Sequence, residues 1–89
     1  MNEFYDKAFE HLKEEIEDAC EYLKEADATE ADGKPYLARG MRDIAMDEYT
    51  HANFLRNYLM SKHAYHEHAM YEEIEHHWHK LLARLGLEK

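Results

Sequence analysis

The amino-acid sequence predicts an all-α protein: an antiparallel helical hairpin followed by a third helix. Apolar residues recur at intervals of three and four along most of the chain, which is typical of amphipathic helices. The chain has no valine and no stretch in which apolar and polar residues alternate, so no strand is expected. With 89 residues, it is expected to form one domain spanning 1–89.

The first two helices are predicted over about 3–29 and about 35–61. Between them, Gly33 and Pro35 are typical of a helix end followed by a helix start. Two long helices joined by about five residues must lie antiparallel. Gly40, inside the second helix, is expected to permit close packing. The buried stripe of helix 1 is predicted to comprise Tyr5, Ala8, Phe9, Leu12, Ile16, Ala19, Leu23 and Ala26.

The third helix is predicted over about 62–86, with Ser61 as its N-cap and Gly86 as its C-cap. A helix of about 25 residues covers only part of a longer hairpin, so an open apolar face should remain. The buried positions of this helix are predicted to be Met70 or Tyr71, Ile74, Trp78, Leu81 and Leu85.

Glu48 and His51 interrupt the apolar stripe predicted for helix 2. A buried carboxylate is costly unless it is paired, hydrogen-bonded or bound to a metal. The Glu-x-x-His spacing puts a carboxylate and an imidazole one turn apart on the same face, as in the ligand motifs of di-iron bundles. The predicted stripe is Leu37, Met41, Ile44, Glu48, His51 or Ala52, Leu55 and Leu59.

Glu15 on helix 1 is the expected partner of this pair. It lies 18 residues before Gly33, and Glu48 lies 15 residues after it, so an antiparallel hairpin brings the two to nearly the same height. A different rotation of helix 1 would present Glu14 or Asp18 instead. Tyr22, two turns beyond Glu15, could donate a hydrogen bond to the site, although a packed core tyrosine is the simpler interpretation. His11, one turn before Glu15, is expected to be solvated rather than a ligand.

The pattern Glu15, Tyr22 and Glu48-x-x-His51 resembles the first half of the ferritin-like superfamily over about residues 10–60. The similarity extends to rubrerythrins, bacterial ferritins and small encapsulated ferritins. It implies that Glu15 is a terminal metal ligand, Glu48 a bridging carboxylate, His51 an imidazole ligand and Tyr22 a neighbour of the site. No second Glu-x-x-His stands in a fourth helix, which excludes a single-chain ferritin. A single cysteine excludes a self-contained rubrerythrin with its four-cysteine domain.

The resemblance further implies a di-iron site shared between two chains, with Mn or Zn as other possible metals. The chain would dimerise into a ferritin-like four-helix bundle, or form a higher even-numbered homo-oligomer. The implied activity is Fe(II) oxidation by O2 or peroxide, a ferroxidase-type reaction serving iron handling or oxidant scavenging. Two alternatives stay open: a non-catalytic helical dimer that binds Zn or Mn, and a metal-free structural dimer whose Glu and His fix the register.

Composition narrows the range of partners and locations. Acidic residues outnumber basic ones 20 to 11, which argues against a nucleic-acid partner. No apolar run approaches the roughly 20 residues of a membrane span, and no signal peptide is evident at residues 1–6. A cytoplasmic location is expected, either free or enclosed by a shell protein, although no docking peptide is evident after Leu87. Cys20 is expected to be a small, partly buried group. The C-terminal histidines are expected to be solvated: His63, His66, His68, His76, His77 and His79.

Overall fold

A computed structural model of the chain describes residues 3–62 and 65–88, and it consists almost entirely of helix. Helix α1 spans Glu3–Ala31, α2 spans Pro35–Met60 and α3 spans Tyr71–Leu85, with a short 3₁₀ helix at Tyr65–Glu67. No strand occurs in these two ranges. The predicted all-α class is confirmed.

The turn between α1 and α2 forms where Gly33 and Pro35 predict it. Gly33 has a φ of 78°, a left-handed conformation that costs glycine little, and Pro35 occupies the first turn of α2. The amide of Lys34 donates to the carbonyl of Thr29 at 3.1 Å, which closes the end of α1. The first two helices end within two residues of their predicted bounds.

The contact between α1 and α2 is built from small residues on α2. Seven of the eight residues predicted for the buried stripe of α1 are buried, and Tyr5 is partly so. On α2 the prediction is confirmed for Leu59 and for Ala52, but it is wrong for Leu37 and Ile44, which are 54% and 40% exposed. The buried positions of α2 are therefore mostly alanine, and its larger side chains at Leu37 and Ile44 stay exposed. The buried residues of α2 recur every seven positions: Ala38, Ala45, Ala52 and Leu59.

Two further predictions fail. Gly40 permits no close packing, since a Cβ placed there would meet nothing within 4 Å. The third helix begins at Tyr71 rather than at about residue 62, and Ser61 ends α2 instead of capping α3. The segment before α3 is held by side-chain contacts of His68, whose ring stacks on Phe9 at 3.7 Å. Its Nε2 lies 3.0 Å from Oδ1 of Asp6 and its Nδ1 accepts a hydrogen bond from the amide of Met70.

Helix α3 packs on one side of the hairpin. Trp78 stacks on Tyr49 with ring centroids 5.5 Å apart, and Arg56 binds Glu75 through two hydrogen bonds of 2.8 Å. Tyr65 adds a hydrogen bond of 2.6 Å to the same Glu75 carboxylate. Gly86, at a φ of 73°, ends the helix in the left-handed C-cap conformation that the sequence predicts.

The opposite side of the hairpin is left uncovered by the described residues. Successive positions of an α-helix are about 100° apart, so His51 and Tyr58 project about 200° away from Tyr49 and Arg56, which contact α3. We call this uncovered side the open face. Its large exposed apolar residues are Phe4, Leu37, Ile44 and Tyr58.

Candidate metal centre

The structure brings together the three residues that the sequence predicts as metal ligands. One potential ligand atom from each of Glu15, Glu48 and His51 lies within 4.8 Å of the other two. Glu15 comes from α1 and the other two come from α2, one turn apart. Glu15 and Glu48 meet because the hairpin turn at Gly33 sets the two helices in the predicted register. Within the described ranges, this is the one such group of three or more acidic, histidine or cysteine side chains.

The sequence predicts that Glu48 and His51 lie on the buried line of α2. In the structure the cluster lies instead at the edge of the α1–α2 contact. Glu15 and Glu48 are partly buried, while the His51 side chain is 62% exposed. The buried line passes through Ala45 and Ala52, which place Glu48 and His51 to one side of it. The three side chains therefore point from the hairpin towards the open face.

One oxygen of Glu15 lacks the partner that its burial calls for. Oε2 of Glu15 is buried and accepts no hydrogen bond from any described residue. The nearest imidazole atom, Nδ1 of His51, is 3.6 Å away, which is too far for a good hydrogen bond. Buried carboxylate oxygens are normally satisfied by a donor or a cation. Protonated Glu48 can donate to the Glu15 carboxylate, and once Glu48 is ionised a positive group would satisfy it instead.

The electrostatics of the two carboxyl groups lead to the same conclusion. The pKa of Glu48 is raised from its ordinary value of 4.5 to about 7. The main cause is a hydrogen bond that protonated Glu48 shares with the Glu15 carboxyl group, followed by burial and by the negative charges of Glu15 and Asp18. The His51 ring acts in the opposite direction. Two carboxylates this close repel one another unless a proton or a cation stands between them.

A divalent cation fits this set of donors. Carboxylate oxygens and an imidazole nitrogen suit Fe, Mn or Zn and do not suit Cu(I). Ligands of a single ion lie about 3–4 Å apart when each bond is about 2.1 Å, so donor atoms within 4.8 Å need only small side-chain movements to bind one. A cation there would satisfy Oε2 of Glu15 and replace the repulsion between the carboxylates by attraction.

The other candidates from the sequence lie around this cluster. Glu14 is exposed, which removes it as the alternative to Glu15, and His11 is exposed as expected. Asp18 is also exposed, but its charge reaches Glu48 and helps to raise the pKa of that carboxyl group. Tyr22 packs against the core and lines a shallow surface depression beside Asp18, and it is not among the three clustered ligands. A role for Tyr22 in the chemistry stays a prediction.

The histidines near the C-terminus form no second cluster within the described residues. His66, His76 and His79 are exposed, and His77 is partly buried. The prediction of solvation is wrong for His68, which anchors the segment before α3 as described above. His63 lies outside the described residues.

Comparison with known proteins assigns no family to the chain. It matches no protein-family model, and neither a curated protein nor a solved structure is significantly similar to it. Among the described residues, no helix combines the length and the apolar character needed to cross a membrane. Function is therefore inferred from the side chains of the site and from the surface around it.

Proposed function

We propose that this chain is a ferritin-like di-iron protein that oxidises Fe(II) with O2 or peroxide at a site shared between two copies. The observation that carries the proposal is the meeting of Glu15, Glu48 and His51 at an uncovered helical face. A di-iron site in a four-helix bundle takes one Glu from each of two helices and one Glu-x-x-His from each of the other two. One copy offers one of each, and a twofold dimer provides the full set.

The pattern of α2 supports a second copy on the open face. Its buried residues recur every seven positions, and a second series with the same period begins one position earlier on the open face. Alternating steps of four and three are the spacing by which helices pack along a seam. A helix with two adjacent seams suits a bundle in which each helix contacts two neighbours. This second series, the open seam, is Leu37, Met41, Ile44, Glu48, His51, Leu55 and Tyr58.

The apolar area alone would give a weak dimer. Phe4, Leu37, Ile44 and Tyr58 are 36–67% exposed. Covering the exposed part of one such side chain contributes about 1 kcal/mol, or about 8 kcal/mol over two copies. Association costs about 4–15 kcal/mol, so the two effects nearly cancel. We therefore expect metal binding at the shared ligands to strengthen the dimer substantially.

The residues of the chain have defined roles in this proposal. Glu48 must lose its proton to become a ligand, so metal affinity should rise with pH through the neutral range. Four carboxylates in the dimer favour iron in its more highly charged oxidised state. The formal charge of −9 draws Fe(II), the substrate, towards the protein. Bound together, two iron ions would supply two electrons to one molecule of O2 or peroxide.

Rapid mixing of anaerobic Fe(II)-loaded protein with O2 tests the activity. The expected result is fast, O2-dependent Fe(II) oxidation that Glu48→Ala reduces to the rate of Fe(II) without protein. Asp47→Asn is the matched control, since it removes an exposed carboxylate next in sequence and should retain the rate. Tight Zn or Mn binding without turnover would contradict the enzyme and favour a static metal site. Failure to bind any metal would contradict both and favour the metal-free dimer.

A further inference from the structure

A cavity between α1 and α3 is a candidate binding site separate from the open face. Its volume is about 310 Å³, at the lower end of the range for small-molecule sites. Ile16 and the partly buried Cys20 form its apolar part. Its charged and polar rim consists of Glu17, Glu21, Lys24, His77, Lys80 and Arg84.

Three cations at this rim have no ion-pair partner among the described residues. Lys24, Lys80 and Arg84 all border the cavity, and none has a carboxylate within salt-bridge distance in the structure. On α1, Lys13 lies 2.7 Å from an oxygen of Glu73, whereas Lys7 has no carboxylate of a described residue within salt-bridge distance. What distinguishes Lys24, Lys80 and Arg84 from the other unpaired cations is that all three border the same cavity.

The positions of these residues on α1 and α3 bring the three cations together. Lys80 and Arg84 are four residues apart and therefore stand on one face of α3, one turn from each other. Lys24 faces them from α1 across the cavity. Their charges all reach the thiol of Cys20, where they partly offset the rise in its pKa that burial causes. The three cations therefore act on one common volume.

The net charge of the chain does not cancel this local field. Around the cavity, three cations stand against two carboxylates, Glu17 and Glu21, which gives a formal balance of +1. Interactions between exposed charges are screened beyond about 8 Å at physiological salt, so distant acidic residues contribute little here. Arginine and lysine are the side chains that bind phosphate and carboxylate groups.

We propose that the cavity between α1 and α3 binds a small, multiply charged oxyanion through Lys24, Lys80 and Arg84, with Ile16 and Cys20 against its apolar part. A phosphate group or a compact polycarboxylate has the required chemistry. A macromolecule is disfavoured because the cations surround a concave volume between two helices instead of spreading over a flat surface. The proposal is independent of the metal centre, whose ligands point to the open face.

Cys20 provides the assay, because it is the one cysteine of the chain and it lines the cavity. The rate of alkylation by iodoacetamide is measured at rising concentrations of inorganic phosphate or phenyl phosphate, with chloride keeping the ionic strength constant. A bound anion should slow alkylation in a saturable manner. Phenyl phosphate should protect at lower concentration if the ligand is organic, and the two should be equal if the site takes inorganic oxyanions.

Variants give the charge dependence of protection. The double variant Lys80→Gln/Arg84→Gln should raise the half-protecting phosphate concentration at least about tenfold, as expected for loss of a charge-assisted contact. Glu21→Gln should lower that concentration, and Lys7→Gln, an exposed cation elsewhere on α1, should leave it unchanged. Comparing rates with and without phosphate within each variant removes any effect on the thiol itself.

Two outcomes overturn the proposal. One is equal protection in wild type and in the double variant, which would mean an adventitious ionic effect. The other is no saturable protection with either phosphate compound, which would leave an acidic macromolecule as the partner that these cations fit.

Discussion

Glu48→Gln should stabilise the metal-free protein while abolishing metal binding. In chelator at pH 8, above its pKa of about 7, Glu48 is a carboxylate whose ligand atom lies at most 4.8 Å from one of the Glu15 carboxylate. Repulsion of two unit charges at that distance is about 1 kcal/mol in water and about 3.5 kcal/mol at an effective dielectric constant of 20. Because the site is only partly buried, we expect a gain of about 1–2 kcal/mol, aided by the amide of the glutamine as a donor to Oε2 of Glu15.

The pH dependence identifies the cause of this gain. The pKa of Glu48 is raised in the folded state, so between 4.5 and about 7 the folded protein binds more protons than the unfolded one. The stability of the wild type should therefore fall as pH rises through that range, and level off above it. At pH 5 Glu48 is largely protonated, and Glu48→Gln should be nearly neutral.

Thermal and urea unfolding in chelator at pH 5 and pH 8 measure both effects. For a chain of this size, 1 kcal/mol shifts the Tm by about 4–8 °C. Asp47→Asn is the control and should change stability by less than about 0.5 kcal/mol at either pH. At a concentration of Fe(II), Mn(II) or Zn(II) 100 times its Kd, the wild type should gain about 2.7 kcal/mol and Glu48→Gln nothing. Destabilisation by Glu48→Gln in chelator would refute the reasoning, since Glu48 would then support the fold.

Three further predictions concern the fold and the open face. Gly40→Ala should raise the free energy of unfolding by about 1 kcal/mol, measured by urea unfolding, because a helical glycine is replaced where a Cβ meets nothing. Glu75→Gln should cost about 2 kcal/mol at pH 7 by weakening the Arg56 and Tyr65 hydrogen bonds. Burial acts to raise the pKa of Glu75, but these hydrogen bonds and the Arg56 charge lower it overall, so the cost should shrink as pH falls below about 4.5. Leu37→Arg should weaken the proposed dimer at least about 100-fold in analytical ultracentrifugation, whereas Tyr36→Arg, on the adjacent outward-facing position, should not.

The register of the candidate site could be predicted from the sequence because one turn determines it. Gly33 and Pro35 mark the turn clearly, and counting outward from them places Glu15 and Glu48 together. The stripe of α1 was equally readable, since the large apolar residues Phe9, Leu12, Ile16 and Leu23 are the ones that are buried.

The face of α2 could not be read in the same way. There the small residues Ala45 and Ala52 form the contact with α1, while the larger Leu37 and Ile44 point to the open face. A periodicity weighted by hydrophobicity follows the larger residues and is one position too early at Leu37 and Ile44, although it places Leu59 correctly. The series that it follows lies on the open face, where we propose that a second copy packs.

The start of α3 was missed because tertiary contacts fix it. His68 and Tyr65 hold the preceding segment through hydrogen bonds to Asp6 of α1 and Glu75 of α3 and through ring stacking on Phe9. The charge of Asp18 on α1 raises the pKa of Glu48 on α2, which likewise depends on how the two helices pack. Neither has a local sequence signal.

Native mass spectrometry of the full chain, reconstituted anaerobically with Fe(II), tests the central claim most directly. The shared-site account predicts an even-numbered oligomer with about one iron per chain, which chelator dissociates at least in part. Glu48→Gln should lose the iron and shift towards monomer, while Asp47→Asn should match the wild type. A monomer at all iron concentrations, or an iron content that Glu48→Gln leaves unchanged, would contradict a metal site shared between two copies.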